Sequence, residues 1–199
     1  GSDANERYRS FARPAVFSHD RLTFTMANHL AEQNAYSTCK LLLDELDRVV
    51  EEELRLRKTL LESGVRDVSS YITLPKNRLD QLDESSANYD DKRLCHACKH
   101  VCFFSAVACE CSQSKVSCLR HSHYMCRCPT DRKYFMLWSN EKELTSTLGR
   151  VRTHCDALKT RTDEEELAKA TKASQEPLPA MAPGAEEDAA LHKGHEIPT

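Results

Sequence analysis

The feature that most constrains this chain is a cluster of cysteines. Eight of its ten cysteines lie within residues 95–128, and most of them fall into tight pairs with one histidine. The four pairs are Cys95-x2-Cys98, Cys109-x-Cys111, Cys118-x2-His121 and Cys126-x-Cys128. Zinc binds four such ligands tetrahedrally. Eight ligands therefore predict two zinc ions, and a site closed by four protein ligands is structural rather than catalytic.

The pairs can share the two metals in more than one way. Sequential pairing would join the first pair to the second. Interleaved pairing would place Cys95, Cys98, Cys118 and His121 on zinc 1, and Cys109, Cys111, Cys126 and Cys128 on zinc 2. The alternation of two-residue and one-residue gaps favours interleaving, because like pairs then share a metal. Cys102 is left over, and we expect it to be a buried, small apolar residue.

Metal binding by these cysteines fits a reducing compartment, where clustered thiols hold metals rather than form disulfides. The N-terminal residues contain no apolar signal core, and the chain has no Asn-x-Ser/Thr glycosylation site. No stretch approaches 18 consecutive apolar residues, so we expect no membrane span.

Helical patterns precede the cluster. Ser18 is a candidate N-cap for a first helix, in which Leu22, Met26 and Leu30 recur at helical spacing. A second helix ends near Gly64, a candidate C-cap. Its apolar stripe has a period near 3.6 and comprises Leu43, Leu46, Val50, Leu54 and Leu61.

The chain after the cluster begins with a strand-like run, "KYFMLW". Asn140 with Glu143 then indicates the start of a helix that carries Leu144, Leu148, Val151 and Cys155. Thr162 with Glu165 indicates a further short acidic helix. The end of the chain is rich in Pro, Ala and acidic residues, which is typical of disorder.

These patterns predict a mainly α fold, in which a helical domain packs with a small, irregular two-zinc module. The expected organisation is a tag remnant and N-terminal arm (1–14), a helical domain (15–66), a linker or long loop (67–92), the zinc module (93–134), a strand and helix packing on the helical domain (135–161) and an acidic, disordered tail (162–199).

Charge raises the possibility of nucleic-acid binding. Residues 92–133 carry eight Lys and Arg against Glu110 and Asp131, a formal charge of +6. Seven ligand thiolates carry −7 and two Zn²⁺ carry +4, which leaves an effective charge of about +3. The candidate phosphate contacts are Arg120, Arg127, Arg132 and Lys133, which flank the second half of the ligand cluster. Part of the basic excess offsets thiolate charge, so DNA binding is possible but not favoured.

No complete catalytic set is evident in this chain. His154 and Asp156 match the letters of a non-haem iron motif, with His192 or His195 as a third ligand. Residues two apart on a helix point about 200° apart, however, so these two side chains are poorly placed to share a metal. We expect no catalytic residues and no cofactor-binding residues beyond the zinc ligands, which makes the chain an accessory module.

The ligand order, five Cys, one His and two Cys, resembles the C5HC2 zinc finger of the JmjC histone demethylases that carry an ARID domain. The segments "CFFSAVACEC" and "VSCLRHSHYMCRCP" are very close to that finger. The segment "YRSFARPAVFSHDRLTFTMA" is similar to the helical region that follows the catalytic jelly roll in those proteins. The resemblance covers about residues 6–160.

The resemblance implies the interleaved zinc sets, a non-ligand Cys102 and a nuclear protein. It also implies Fe(II)- and 2-oxoglutarate-dependent demethylation of histone H3 lysine 4 by a catalytic domain absent from this chain. The expected partners are the JmjC catalytic domain and, indirectly, the histone H3 tail or nucleosome. The alternatives are an independent chromatin or nucleic-acid binding module, and a scaffold that binds another subunit through its helical face.

Overall fold

The computed structural model describes residues 2–15, 17–30, 35–67, 76–83, 85 and 90–175. The elements in these ranges are α1 (Ser2–Ser10), α2 (His19–Asn28), α3 (Tyr36–Glu62), α4 (Lys76–Leu82), β1 (Ser105–Cys109), β2 (Lys133–Leu137) and α5 (Glu141–Gln175). The chain is thus mostly helical with one small two-stranded sheet, which confirms the predicted fold class. Residues 1–162 form one compact unit, and a second unit begins at Asp163.

Helices α2, α3 and α5 share a hydrophobic core. Ser18 caps α2 as predicted, since its side chain accepts a hydrogen bond from the Arg21 amide at 3.3 Å. Of the predicted stripe, Met26 and Leu30 pack against this core, whereas Leu22 is 55% exposed. Phe24 and Ala27 are the buried apolar residues of α2. The Phe24 ring makes edge-on contacts with two aromatic rings of the zinc module, and these contacts fix the rotation of the helix.

Gly64 forms the turn that leads from α3 into the rest of the chain. Its φ is +96°, a conformation that favours glycine. A Cβ at this position would also lie 3.2 Å from Thr130 Oγ1. The Thr130 hydroxyl donates a 2.6 Å hydrogen bond to the Ser63 carbonyl, so the end of α3 is tied to the loop before β2.

The two strands pair in antiparallel register, with Val107 opposite Phe135. Side chains alternate between the faces of the sheet, and both faces are buried. Tyr134 and Met136 pack in a core with the ligands Cys95 and Cys98. Val107 and Phe135 pack on the other side, in a core that includes Leu56 and Leu60 of α3. The sheet therefore joins the zinc module to the longest helix of the first unit.

The segment 67–92 contains helix α4, where the sequence predicted a linker or long loop. The buried residues of α4 are Arg78, which is fully buried, and Gln81, which is 5% exposed, and Leu82 packs against the core beside them. Two polar anchors produce no apolar period, and this is why the sequence pattern missed the helix. Positions 68–75, 84 and 86–89 of the same segment lie outside the described residues.

The ends of the chain also differ from expectation. The predicted N-terminal arm contains helix α1. Helix α5 passes through Thr162 without a break, and the Thr162 hydroxyl donates to the Leu158 carbonyl within the helix. Residues 162–175 are therefore helical rather than part of a disordered tail, because the acidic run 163–166 continues an established helix. The rest of the predicted tail, 176–199, lies outside the described residues. None of the described helices is long and apolar enough to cross a membrane.

Candidate metal centre

The first group of ligands comes from two turns of the zinc module. Cys95 and Cys98 lie on a tight turn that closes at Lys99, where φ is +62° and the amide donates to the Cys95 carbonyl. Cys118 immediately precedes the short 3₁₀ helix Leu119–His121, and His121 is the last residue of that helix. The four ligand atoms all lie within 4.8 Å of one another. These residues are the first of the interleaved sets.

The second group lies at the edge of the sheet where β1 ends and β2 begins. Cys109 is the last residue of β1, and Cys111 follows it in the next turn. Cys126 and Cys128 lie in the loop that leads to β2. Their four sulfur atoms also lie within 4.8 Å of one another. Antiparallel strand pairing places the end of β1 beside the start of β2, and this juxtaposition brings the two pairs together.

The spacing of the first group suits a tetrahedral zinc ion. Sγ of Cys98 lies 3.9 Å from Sγ of Cys118, and Nδ1 of His121 lies 3.2 Å from Sγ of Cys118. Zn–S bonds of about 2.3 Å in a regular tetrahedron separate the sulfur atoms by about 3.8 Å. His121 therefore presents Nδ1 to the metal position. The two tetrads are consistent with two zinc ions, which confirms the predicted cofactor.

The thiols of each group respond to one another's charge. A hydrogen bond with Cys118 lowers the pKa of Cys95 far below its usual range, and the same interaction raises the pKa of Cys118. Cys109 similarly raises the pKa of Cys111 to about 12. Thiolates so close together repel unless a cation lies between them, and zinc supplies that cation.

Cys102 belongs to neither group. It is 3% exposed and packs between the ligand turn and the sheet, and burial raises the pKa of its thiol. His100 is a further residue beside the first group that the ligand pattern did not single out. The His100 ring is buried, and its Nδ1 lies 3.1 Å from the Cys98 carbonyl. The sequence alone does not show whether a single histidine beside ligand pairs is exposed at the surface or buried.

The four candidate phosphate contacts do not form a free basic surface. Arg120 is paired with Glu52 of α3 and Glu6 of α1, and Arg132 is paired with Glu110. Lys133 is 5% exposed and donates to the Ser122 carbonyl. Arg127 is exposed. Arg120 thus joins the module to α1 and α3, whereas Arg132 and Lys133 make their contacts within the module.

Known proteins share both the finger and the helices around it. The C5HC2 zinc finger family matches residues 95–147. Lysine-specific demethylase 5D of Homo sapiens is 32% identical over 162 residues, and the protein of the same name from Pan troglodytes gives the same values. The match covers 80% of this chain and 10% of each relative. Lysine-specific demethylase rbr-2 of Caenorhabditis briggsae is 29% identical over 134 residues, which cover 67% of this chain and 8% of that protein.

The chain therefore spans about a tenth of the length of these relatives. The similarity begins outside the finger, because 162 aligned residues far exceed the 53 from 95 to 147. It follows that the chain carries a C5HC2 zinc finger within a longer segment related in sequence to the lysine-specific demethylases.

Proposed function

We propose that this chain is a non-catalytic structural lobe of a JmjC histone H3 lysine-4 demethylase, and that it braces the catalytic domain. The observation that carries the proposal is the extent of the similarity, which covers 80% of the chain and so includes helices as well as the finger. In this proposal Fe(II) and 2-oxoglutarate bind only to the catalytic domain, and the protein acts on chromatin in the nucleus.

The metal chemistry supports a bracing role. Both ligand groups contain four protein ligands, so zinc bound there offers no open coordination position to a substrate. Its contribution is to hold the hairpin and the ligand turns against α3. A rigid module of this kind suits a support for a neighbouring domain.

An exposed apolar surface at the start of the chain supports a docking partner. Tyr8, Phe11, Phe17 and Leu22 all lie within fifteen residues of one another and are exposed, with Phe11 at 73% and Phe17 at 78%. Exposed apolar side chains mark an interaction surface where they form one patch. In the proposed demethylase this segment follows the catalytic jelly roll directly, so the catalytic domain is the partner within reach.

The proposal is tested in a polypeptide that continues upstream of residue 1 into the catalytic domain. That upstream sequence should contain a His-x-Asp/Glu pair and a distant histidine. Replacing both Phe11 and Phe17 by serine should lower the Tm of the catalytic domain and its demethylation of a trimethylated lysine-4 peptide, because docking loses apolar contact area. Calorimetry and peptide mass spectrometry measure the two effects.

Leu41→Ser is the matched control, since Leu41 is 72% exposed but lies on α3. It should change neither quantity. Full activity and an unchanged Tm in the double phenylalanine variant would contradict a brace that docks through this surface. Demethylation by the isolated chain would contradict the non-catalytic assignment.

A further inference from the structure

Helix α1 lies against the first zinc site, although Arg9 and Cys118 are 109 residues apart in the sequence. Nη1 of Arg9 lies 3.8 Å from Sγ of Cys118 and donates to it. The Asn5 side-chain oxygen lies 3.1 Å from Nε2 of His100. Glu6 accepts two hydrogen bonds from Arg120, at 2.8 and 3.0 Å. Residues of α1 therefore contact the zinc ligand Cys118 and two residues close to the first site, His100 and Arg120.

The contact between Arg9 and Cys118 joins opposite charges. Three thiolates, one neutral imidazole and Zn²⁺ give the first site a net charge of −1. The Arg9 side chain is only 14% exposed, so water screens its attraction to the thiolate incompletely. A carboxylate oxygen of Glu6 lies 3.7 Å from Nε of Arg9, so the guanidinium also has an acidic neighbour on its own helix.

His100 provides the second link between α1 and the site. One side of its ring meets the carbonyl of the ligand Cys98, and the other side meets Asn5. Cys98 is 2% exposed, and Cys118 is the more accessible of the two thiols. The helix thus lies over the accessible side of the site.

We propose that α1 is a lid on the first zinc site and that Arg9 is the outer-sphere partner of Cys118. The guanidinium offsets the excess negative charge of the metal-loaded site. The helix also restricts the access of water and chelators. Outer-shell partners of metal ligands typically change metal affinity about 10–100-fold. This inference needs zinc in the module and does not depend on the proposed demethylase function.

Coupling between two binding events is reciprocal, so zinc in the first site should also stabilise the docked helix. Any element that pulls α1 away would loosen the first zinc and leave the second untouched. The α1 contacts given above reach Cys118, His100 and Arg120, and they do not reach the ligands of the second site.

The test uses the full chain loaded with Co²⁺, whose visible absorption differs between a site with three cysteines and one histidine and a site with four cysteines. A chelator is added, and the loss of each absorption signal is followed. In Arg9→Met the first site should lose its metal about 10-fold faster than in the unmodified chain. The second site should keep its rate. Arg9→Lys should give an intermediate rate, because lysine keeps the charge but lacks the planar fork.

Arg7→Met is the matched control, since Arg7 is an exposed arginine on the same helix. It should leave both rates unchanged. Unchanged release from the first site in Arg9→Met would overturn the proposal. Equal acceleration at both sites would overturn it too, because that result indicates general loosening of the module.

Glu6→Gln provides a second route that keeps the Arg9 side chain, although it removes the carboxylate 3.7 Å from Nε of Arg9. This change weakens the ion pair with Arg120, so α1 should exchange its amide hydrogens faster, and the first site should again release metal faster. Faster exchange of residues 2–10 with an unchanged release rate would show that the helix is no lid, and the proposal would fall.

Discussion

Cys102 and Cys109 lie seven residues apart, and neither has more than 3% of its surface exposed. Only Cys109 has three other sulfur atoms within ligand distance. Cys102 lies among apolar side chains and behaves as a small hydrophobic residue. Burial alone therefore does not distinguish a ligand from a packing residue, whereas the geometry of the neighbouring sulfur atoms does.

Substitution separates the two roles. Cys102→Ala should keep two zinc ions per chain and lower the free energy of unfolding by a few kcal/mol at most, because it removes one buried sulfur atom. Cys109→Ala should release zinc and unfold the hairpin, since structural zinc contributes much of the folding free energy. Elemental analysis and circular dichroism measure these effects. Equal metal loss in both variants would contradict the ligand sets given above.

The structure brings the predicted cysteine pairs together in two groups, and their spacing was readable because it is local in the sequence. Prediction did not extend to residues whose partners come from distant parts of the chain. Glu53 interrupts the apolar pattern of α3, and the structure shows why the helix tolerates it. Its carboxylate accepts hydrogen bonds from Arg57 and Ser105, and burial raises the pKa of Glu53. Nothing near Glu53 in the sequence indicates the contact with Ser105.

Helix α4 is the element whose anchoring depends most on polar contacts. Arg78 donates to the carbonyls of Ser112 and Lys115, at 2.8 and 2.9 Å. Gln81 donates to the carbonyls of Lys92 and Ser114, at 2.9 and 2.8 Å. These bonds hold the loop between Cys111 and Cys118, which connects a ligand of one zinc site to a ligand of the other.

Arg78→Met tests this anchoring. Methionine fills similar space but leaves two carbonyls without their donor, and each such loss costs about 1–3 kcal/mol. The free energy of unfolding should fall accordingly, as measured by denaturant titration, and amides 112–116 should exchange hydrogen faster. Arg55→Met, at an exposed site on α3, should change neither measurement. A fully stable Arg78→Met variant would show that α4 contributes little to the module.

Elements with an apolar period were predictable, and those without one were not. Helices α2 and α3 and strand β2 carry such a pattern and form where they were expected, and α5 begins where it was expected but continues to Gln175. Helix α1 packs through Asn5, Glu6 and Arg9, and α4 packs through Arg78 and Gln81. Polar anchors become visible only when the folded chain brings their partners within reach. The same reason explains why Phe24 was missing from the predicted stripe of α2, since its contacts are with the rings of Phe103 and Phe104.

Most of the candidate phosphate contacts of the zinc module pair with other residues of the chain, which leaves few of them free to bind nucleic acid. The isolated chain should bind duplex DNA weakly at physiological salt, because Arg120 and Arg132 are paired and Lys133 is buried. Arg120→Gln should destabilise the module rather than alter DNA affinity. Fluorescence anisotropy at several salt concentrations measures the affinity and its salt dependence.

Arg127→Gln is the informative comparison, since Arg127 is exposed. In a DNA-binding module, this substitution would lower the slope of log binding constant against log salt concentration by about one. A sub-micromolar, salt-sensitive affinity of the unmodified chain for duplex DNA would favour the independent binding module over the brace.

The interleaved order of the ligands determines when each zinc site can be completed during synthesis of the chain. Neither site can close when its first pair leaves the ribosome, because Cys118 and His121 must appear before the first site is complete, and Cys126 and Cys128 before the second. At about 5–20 residues per second, synthesis from Cys95 to Cys128 takes roughly 2–7 s. The nascent chain carries several bare thiols throughout this interval. During those seconds the unpaired ligands are open to oxidation, so the amount of free zinc should affect how much of the newly made protein becomes native.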